Sequence, residues 1–239
     1  QYSADGTQLY VVLESPAALN SGKASALAGV YVSKGGNAAG PYSLIANPSK
    51  LAHSGSAERK QRIGGGYQPG VQAWYNQFIG VDPNNANHVY VGLEEVYESW
   101  NGGATWSTIG RYWDFGFSCW SYVDKNNTCD GNVVHSDQHA IAFGTGTSKG
   151  QVFVGNDGGI YQRDVSPTAS TWKSLSKSGQ LNMLQYYSVA VGKDVKHPGQ
   201  VQVWGGLQDN GVSLLDPVNN GEMVSPYGGD GGQQLVDPN

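Results

Sequence analysis

The sequence is poor in charge, in cysteine and in long apolar runs. Charged residues make up 14% of 239 positions, with 14 Lys and Arg against 19 Asp and Glu. The basic residues are scattered and form no stripe, which excludes a nucleic-acid groove, since neutralising phosphates takes clustered Lys and Arg. No apolar stretch reaches the length of a membrane-spanning helix. No Ser nucleophile elbow, phosphate loop or dinucleotide fingerprint occurs. The Gly run in RIGGGYQPG lacks the strand-to-helix context that such a loop needs. Arginine is confined to Arg59, Arg62, Arg111 and Arg163, at unlike places in the repeat described below. That argues against an arginine triad clamping a sugar carboxylate.

Only two cysteines are present, Cys119 and Cys129. Their close spacing and polar surroundings favour a local disulfide over two buried thiols. Asn126-Asn127-Thr128 beside them is a glycosylation sequon. Together they point to a secreted, extracellular setting. No signal peptide precedes Gln1, so the chain reads as a mature form or a fragment.

What is abundant is glycine, at 35 residues, and aromatic side chains, with 14 Tyr and 7 Trp. That mixture suits many short strands joined by tight turns. A pattern recurs: an apolar opening strand, a polar turn, a second apolar strand ending in Gly or acidic residues, a third short strand, and a fourth marked by Trp or Tyr. One copy reads AWYNQFIGV, DPNNAN, HVYVGLEE and SWNGGATWSTI. The next reads DQHAIAF, GTGTSKG, QVFVGNDGGIYQRD and STWKSLS, and another LQYYSVAV, GKDVKHPG, QVQVWGGLQDNGVSLLD and GEMVSP. The first copy, QLYVVLES with AGVYVSKGG and PYSLIAN, lacks its opening strand. Period-2 alternation in HVYVG and QVFVG fits half-buried strands.

A repeated four-stranded unit of about 40 to 60 residues predicts an all-β fold, a β-propeller of antiparallel blades. About four blades fit within 1–239, read as a single domain with insertions near 53–71 and 112–136. The tail GGDGGQQLVDPN reads as an opening strand. It either closes a small ring on the first copy or belongs to a longer ring completed by further blades or a second chain; the large aromatics favour the longer ring.

Ser99-Trp100-Asn101-Gly102-Gly103-Ala104-Thr105-Trp106 resembles the Asp box, S-x-D-x-G-x-T-W, with Asn101 in place of Asp. The box is a structural hairpin turn, which Asn still caps as an acceptor. From Trp74 onward, HSDQHAIAF, VGNDGGIYQRD, LQYYSVAV and GGLQDNG resemble secreted Asp-box propellers related to the xyloglucan-hydrolysing glycosidases and to sortilin-type propellers. In the xyloglucanases an Asp within R-T-D-x-G-G-A-Y is catalytic. The resemblance implies that role for Asp157 in Asn156-Asp157-Gly158-Gly159-Ile160-Tyr161, although Gly155-Asn156 replaces Arg-Thr.

Four acidic residues recur at equivalent places. Aligning opening strands sets Asp137 against Asp230, and Asp157 and Asp209 both follow a second strand. Each either makes its own turn or joins a ring of carboxylates about the channel. Paired carboxylates hydrolyse glycosidic bonds; a carboxylate ring alternatively holds Ca²⁺. His135, Asp137 and His139 form H-x-D-x-H, which in a strand shares one face, as a metal set, an acid/base cluster or a structural cap. Trp113, Phe115, Phe117, Trp120 and Tyr122 crowd one Gly-interrupted loop. They suit stacking on a glycan, with His135 beside them, or a mini-core around the cysteines.

The expectation is therefore a secreted, glycoside hydrolase-like protein acting on a polysaccharide without a required cofactor. The alternative is a lectin or protein-binding propeller whose Asp residues are structural or hold calcium or another divalent metal.

Overall fold

The computed structural model describes residues 1–58, 68–112, 133–168, 171–175, 185–208, 210–215 and 223–237. The described residues are mainly β, with two short α-helices among them, α1 (Pro16–Asn20) and α2 (Pro48–Ala52), each opened by proline and an Asx or Ser cap. The described residues of 1–112 and 133–175 lie in one compact unit and those of 185–237 in a second.

The first unit holds three antiparallel meanders. β1 (Gln8–Glu14), β2 (Leu27–Lys34) and β3 (Ser43–Ala46) form a three-stranded sheet, so the first copy has no opening strand. β4 (Phe78–Val81), β5 (Val89–Gly92), β6 (Val96–Ser99) and β7 (Ser107–Tyr112) form the second, to which β8 (Val133–Val134) adds in parallel. β9 (Gln138–Phe143), β10 (Gln151–Asn156), β11 (Gly159–Asp164) and β12 (Lys173–Ser174) form the third. The second unit is one four-stranded sheet of β13 (Tyr186–Lys193), β14 (Val201–Leu207), β15 (Val212–Leu215) and β16 (Met223–Tyr227). Residues 228–237 carry no strand.

In the first unit the second sheet is buried on both faces: every residue of β5 and β6 is buried, β5 being apolar throughout and β6 carrying the buried polar Glu98 and Ser99 after Val96 and Tyr97. Val89, Val91, Leu93 and Tyr97 pack toward Tyr10, Val30, Val32 and Trp106. On the other face Phe78, Tyr90 and Val96 pack toward Val152, Val154 and Trp172. Trp172 Nε1 also donates to Ile109 O at 2.7 Å, tying the third sheet to the second.

The turn between β6 and β7 folds as its residues dictate. Asn101 Oδ1 accepts from Thr105 N at 2.8 Å, and Ser99 Oγ from Gly103 N at 2.8 Å. Gly103 sits at φ +86, where a Cβ would come within 2.7 Å of the Ile45 side chain. Trp106 turns beneath, its Nε1 donating to Gly103 O at 3.1 Å. Asn101→Ala deletes an acceptor whose net worth is about 1 kcal/mol, and should lower the midpoint of thermal unfolding accordingly. An unchanged midpoint would show that the cap is dispensable.

Candidate functional site

The first unit gathers its functional side chains where the start of one opening strand meets the hairpin turn of a neighbouring sheet. Gln138 N, at the head of β9, donates to Leu93 O in the β5–β6 turn at 2.8 Å. The second unit repeats the device on its own residues: Gly231 N donates to Leu207 O, beside the β14–β15 turn, at 2.9 Å. Gln138 N and Gly231 N thus each meet a carbonyl at a hairpin turn, although Gln138 opens a strand and Gly231 does not.

Asp157, in the β10–β11 turn, is the centre of the site. Its side chain is only 6% exposed and meets His139 Nε2 at 2.7 Å. Tyr75 OH donates to the same carboxylate at 3.0 Å. Tyr75 meets His139 edge to face, with centroids 4.9 Å apart, and Trp74 lies tilted against Tyr75 at 5.8 Å. Trp74 is 54% exposed and Tyr75 39%, so two aromatic surfaces face solvent beside a held carboxylate. The next residue, Asn76, donates through Nδ2 to Asp137 Oδ1. One short segment, Trp74-Tyr75-Asn76, therefore engages both Asp157 and Asp137.

The H-x-D-x-H triplet does not present one face. Asp137 adopts a left-handed backbone at φ +63, and the β9–β10 register shifts between Gly155 and Asn156. Strand alternation holds only within continuous β geometry, and here the strand starts at Gln138. His135 is buried, its Nδ1 3.2 Å from Ser136 O; Asp137 turns to Asn76; His139 turns to Asp157. Among the described residues no three His, Cys, Asp or Glu side chains converge as a metal would require. Asp230, in the second unit, is exposed and accepts from Gln208 Nε2 at 3.4 Å. Asp209, Trp113, Phe115, Phe117, Trp120, Tyr122, Cys119, Cys129 and Asn126 lie outside the described residues, as does the basic patch of Arg59, Lys60 and Arg62.

Beneath the segment lies a buried acidic layer that sequence reasoning passed over. Glu94 accepts from Gly70 N at 2.7 Å and from Gln72 N at 2.6 Å. Glu95 accepts from Ala57 N at 2.9 Å and from Tyr97 OH at 2.8 Å. Burial pushes the Glu58 carboxyl well above the usual range, and the charges of Glu94 and Glu95 push it further. Burial also raises Glu94, against the pull of the Gly70 and Gln72 N–H groups. The missed signal was the repeat itself: Glu94-Glu95 occupy the hairpin that carries Asp157 one sheet later, and Asn76-Gln77 precede β4 as Asp137-Gln138 open β9.

No family model matches the chain. No curated protein matches it. Among solved structures it is similar to the GH74 enzyme of Niastella koreensis, at 13% identity and TM-score 0.36, over 93% of this chain and 28% of that one. It is likewise similar to the GH74 xyloglucanase of Xanthomonas campestris, at 14% identity and TM-score 0.39, over 92% and 28%. A third is YCF48 bound to D1 peptide, at 13% identity and TM-score 0.29, over 84% and 63%. The chain thus spans less than a third of either GH74 structure.

Proposed function

We propose that the chain is a run of propeller blades from a secreted, carbohydrate-active protein, and that it engages a polysaccharide at Trp74, Tyr75, His139 and Asp157. The observation that carries this reading is the pairing of exposed aromatic faces with a largely buried, doubly hydrogen-bonded carboxylate. Sugar C–H faces stack on aromatic rings, and the hydroxyls at the ring edge seek fixed polar partners such as Asp157 and His139. The sequence resemblance of the Asp157 segment to xyloglucan-hydrolysing glycosidases adds the reaction: glycosidic hydrolysis, with Asp157 as one of two carboxylates. Within the first unit the candidate for the second is Asp137. Hydrolysis of this type draws on carboxylates and water and takes no cofactor.

A second reading, a non-catalytic glycan- or protein-binding module, is favoured by one contact: Asp137 is buried and spends an oxygen on Asn76. On this reading the carboxylates are structural or hold calcium.

The deciding experiment incubates the chain with xyloglucan and other β-glucans. It follows both retention on the polysaccharide and the release of reducing ends. Hydrolysis should occur and fall by about 10²–10⁴ in Asp157→Asn, the range spanned by a general acid or base. Retention should weaken by about tenfold in Trp74→Ala, as loss of one stacking residue implies. Retention without any reducing ends would install the second reading; neither retention nor hydrolysis would remove the glycan.

A further inference from the structure

The segment that reaches both carboxylates is a turn rather than a strand, so something must fix it. Residues 68–76 make a succession of tight backbone bonds: Val71 N to Gln68 O, Ala73 N to Gly70 O, and Tyr75 N and Asn76 N to Gln72 O. These bonds coil the segment; Gln68 N to Ala24 O, Ala26 N to Gly70 O and Ser25 Oγ to Pro69 O tether its start, while residues 71–76 have no strand partner. Two of its N–H groups, those of Gly70 and Gln72, point away from the coil and end on one side chain.

We infer that Glu94 is the positioning residue of this site: its buried carboxylate clamps the N–H groups of Gly70 and Gln72 and so sets the turn that delivers Trp74, Tyr75 and Asn76 to Asp157 and Asp137. A carboxylate suits the task because its two oxygens accept from two donors at once, and charge-assisted bonds are shorter and stronger than neutral ones. Both distances, 2.7 and 2.6 Å, are in that short range. Glu94 is held in turn. It lies in the β5–β6 hairpin, where Leu93 N donates to Glu95 O and Leu93 O receives the head of β9. The same hairpin thus fixes β9, which carries His139, and the turn that carries Tyr75. Glu58 is buried as well, and burial together with the Glu94 charge pushes its carboxyl well above the usual range. The role of Glu94 as a clamp is a statement about the turn; its effect on a sugar rests on the glycan reading above.

The test uses the full chain with Glu94→Gln, which keeps the size of the side chain and replaces one acceptor oxygen with a donor. Amide hydrogen exchange of the peptide spanning 68–77 should accelerate by about tenfold or more, well beyond the change elsewhere in the first unit. Collisional quenching of Trp74, isolated as the difference between wild type and Trp74→Phe, should rise together with it. The affinity of the folded fraction for cellopentaose or a xyloglucan oligosaccharide should drop about tenfold, because a site displaced by an ångström loses its fit. A purely structural Glu94 would instead lower the unfolding midpoint and leave both Trp74 quenching and the affinity of folded molecules unchanged; that outcome overturns the proposal. If Glu94→Gln does not fold, Glu94→Asp, which keeps the charge and withdraws the carboxylate by one methylene, is read in the same way. Wild-type protein that binds neither sugar would remove the glycan reading, and exchange and quenching would then decide the clamp alone.

Discussion

Glu98→Gln is expected to destabilise the chain by about 3 kcal/mol, the scale seen when one partner of a buried ionic network is removed. Glu98 lies on β6 with almost no exposure. One oxygen faces His88 Nε2 at 2.9 Å and the other faces Arg163 Nη1, on β11 of the next sheet, at 3.5 Å. His88 is closed in on its second side by Asp82, 2.8 Å from Nδ1, and is stacked on Trp100 with centroids 3.4 Å apart. Gln fills the same volume and keeps one acceptor, so the loss reports charge rather than a cavity. Burial alone would raise the Glu98 carboxyl, but the His88 hydrogen bond and the Arg163 charge outweigh it and hold the group below its ordinary value. A carboxyl depressed in the fold contributes stability above its unfolded pKa of about 4.3, and that stability is lost as pH falls through the lower folded value. Urea unfolding from pH 7 down to pH 3 should therefore show a steeper acid loss in wild type than in Glu98→Gln. Equal stabilities at pH 7, with equal acid slopes, would refute a stabilising role for the network.

Trp106→Ala should cost still more, about 4 kcal/mol, in line with large aromatic truncations in cores. The ring belongs to the cluster that joins the first and second sheets, with Tyr10, Val30, Val32 and Val89. It also satisfies Gly103 O from beneath the hairpin. Truncation opens a cavity between two sheets and leaves that carbonyl without its indole donor. Trp106→Phe, which refills most of the space, should recover more than half of the loss. An unfolding free energy from urea titration for Trp106→Ala within about 1 kcal/mol of wild type would mean that the sheets are not held together at this point.

Much of this arrangement was legible in the residues. The apolar runs and Asx-Pro-Gly turns mark the strands because side-chain period and turn chemistry are local. The residues after Asp137 and Asp230 make backbone bonds of one kind, Gln138 N to Leu93 O and Gly231 N to Leu207 O, but only Gln138 goes on into a strand. What did not read was whatever depends on a single backbone angle or on contacts distant in sequence. The H-x-D-x-H spacing presumes an unbroken strand, and the left-handed Asp137 breaks it. Trp74 and Tyr75 look like the apolar start of a strand; only the fold shows them ahead of β4, exposed and beside Asp157. Glu94 and Glu95 look like a solvated hairpin, and their burial follows from the segment that closes over them.

The parallel pairing of β8 with β7 carries a consequence for how such chains diversify. Arg111 lies opposite Val133, and Tyr112 opposite Val134, so the chain re-enters the sheet one strand spacing, about 4.8 Å, from where it left. Two neighbouring strand ends form a socket into which a stretch of any length can be spliced. By closure entropy alone, doubling the number of residues between Tyr112 and Val133 costs only about 0.6 kcal/mol. The number of residues joining β7 to β8 can therefore change at little entropic cost while the two strands keep their register.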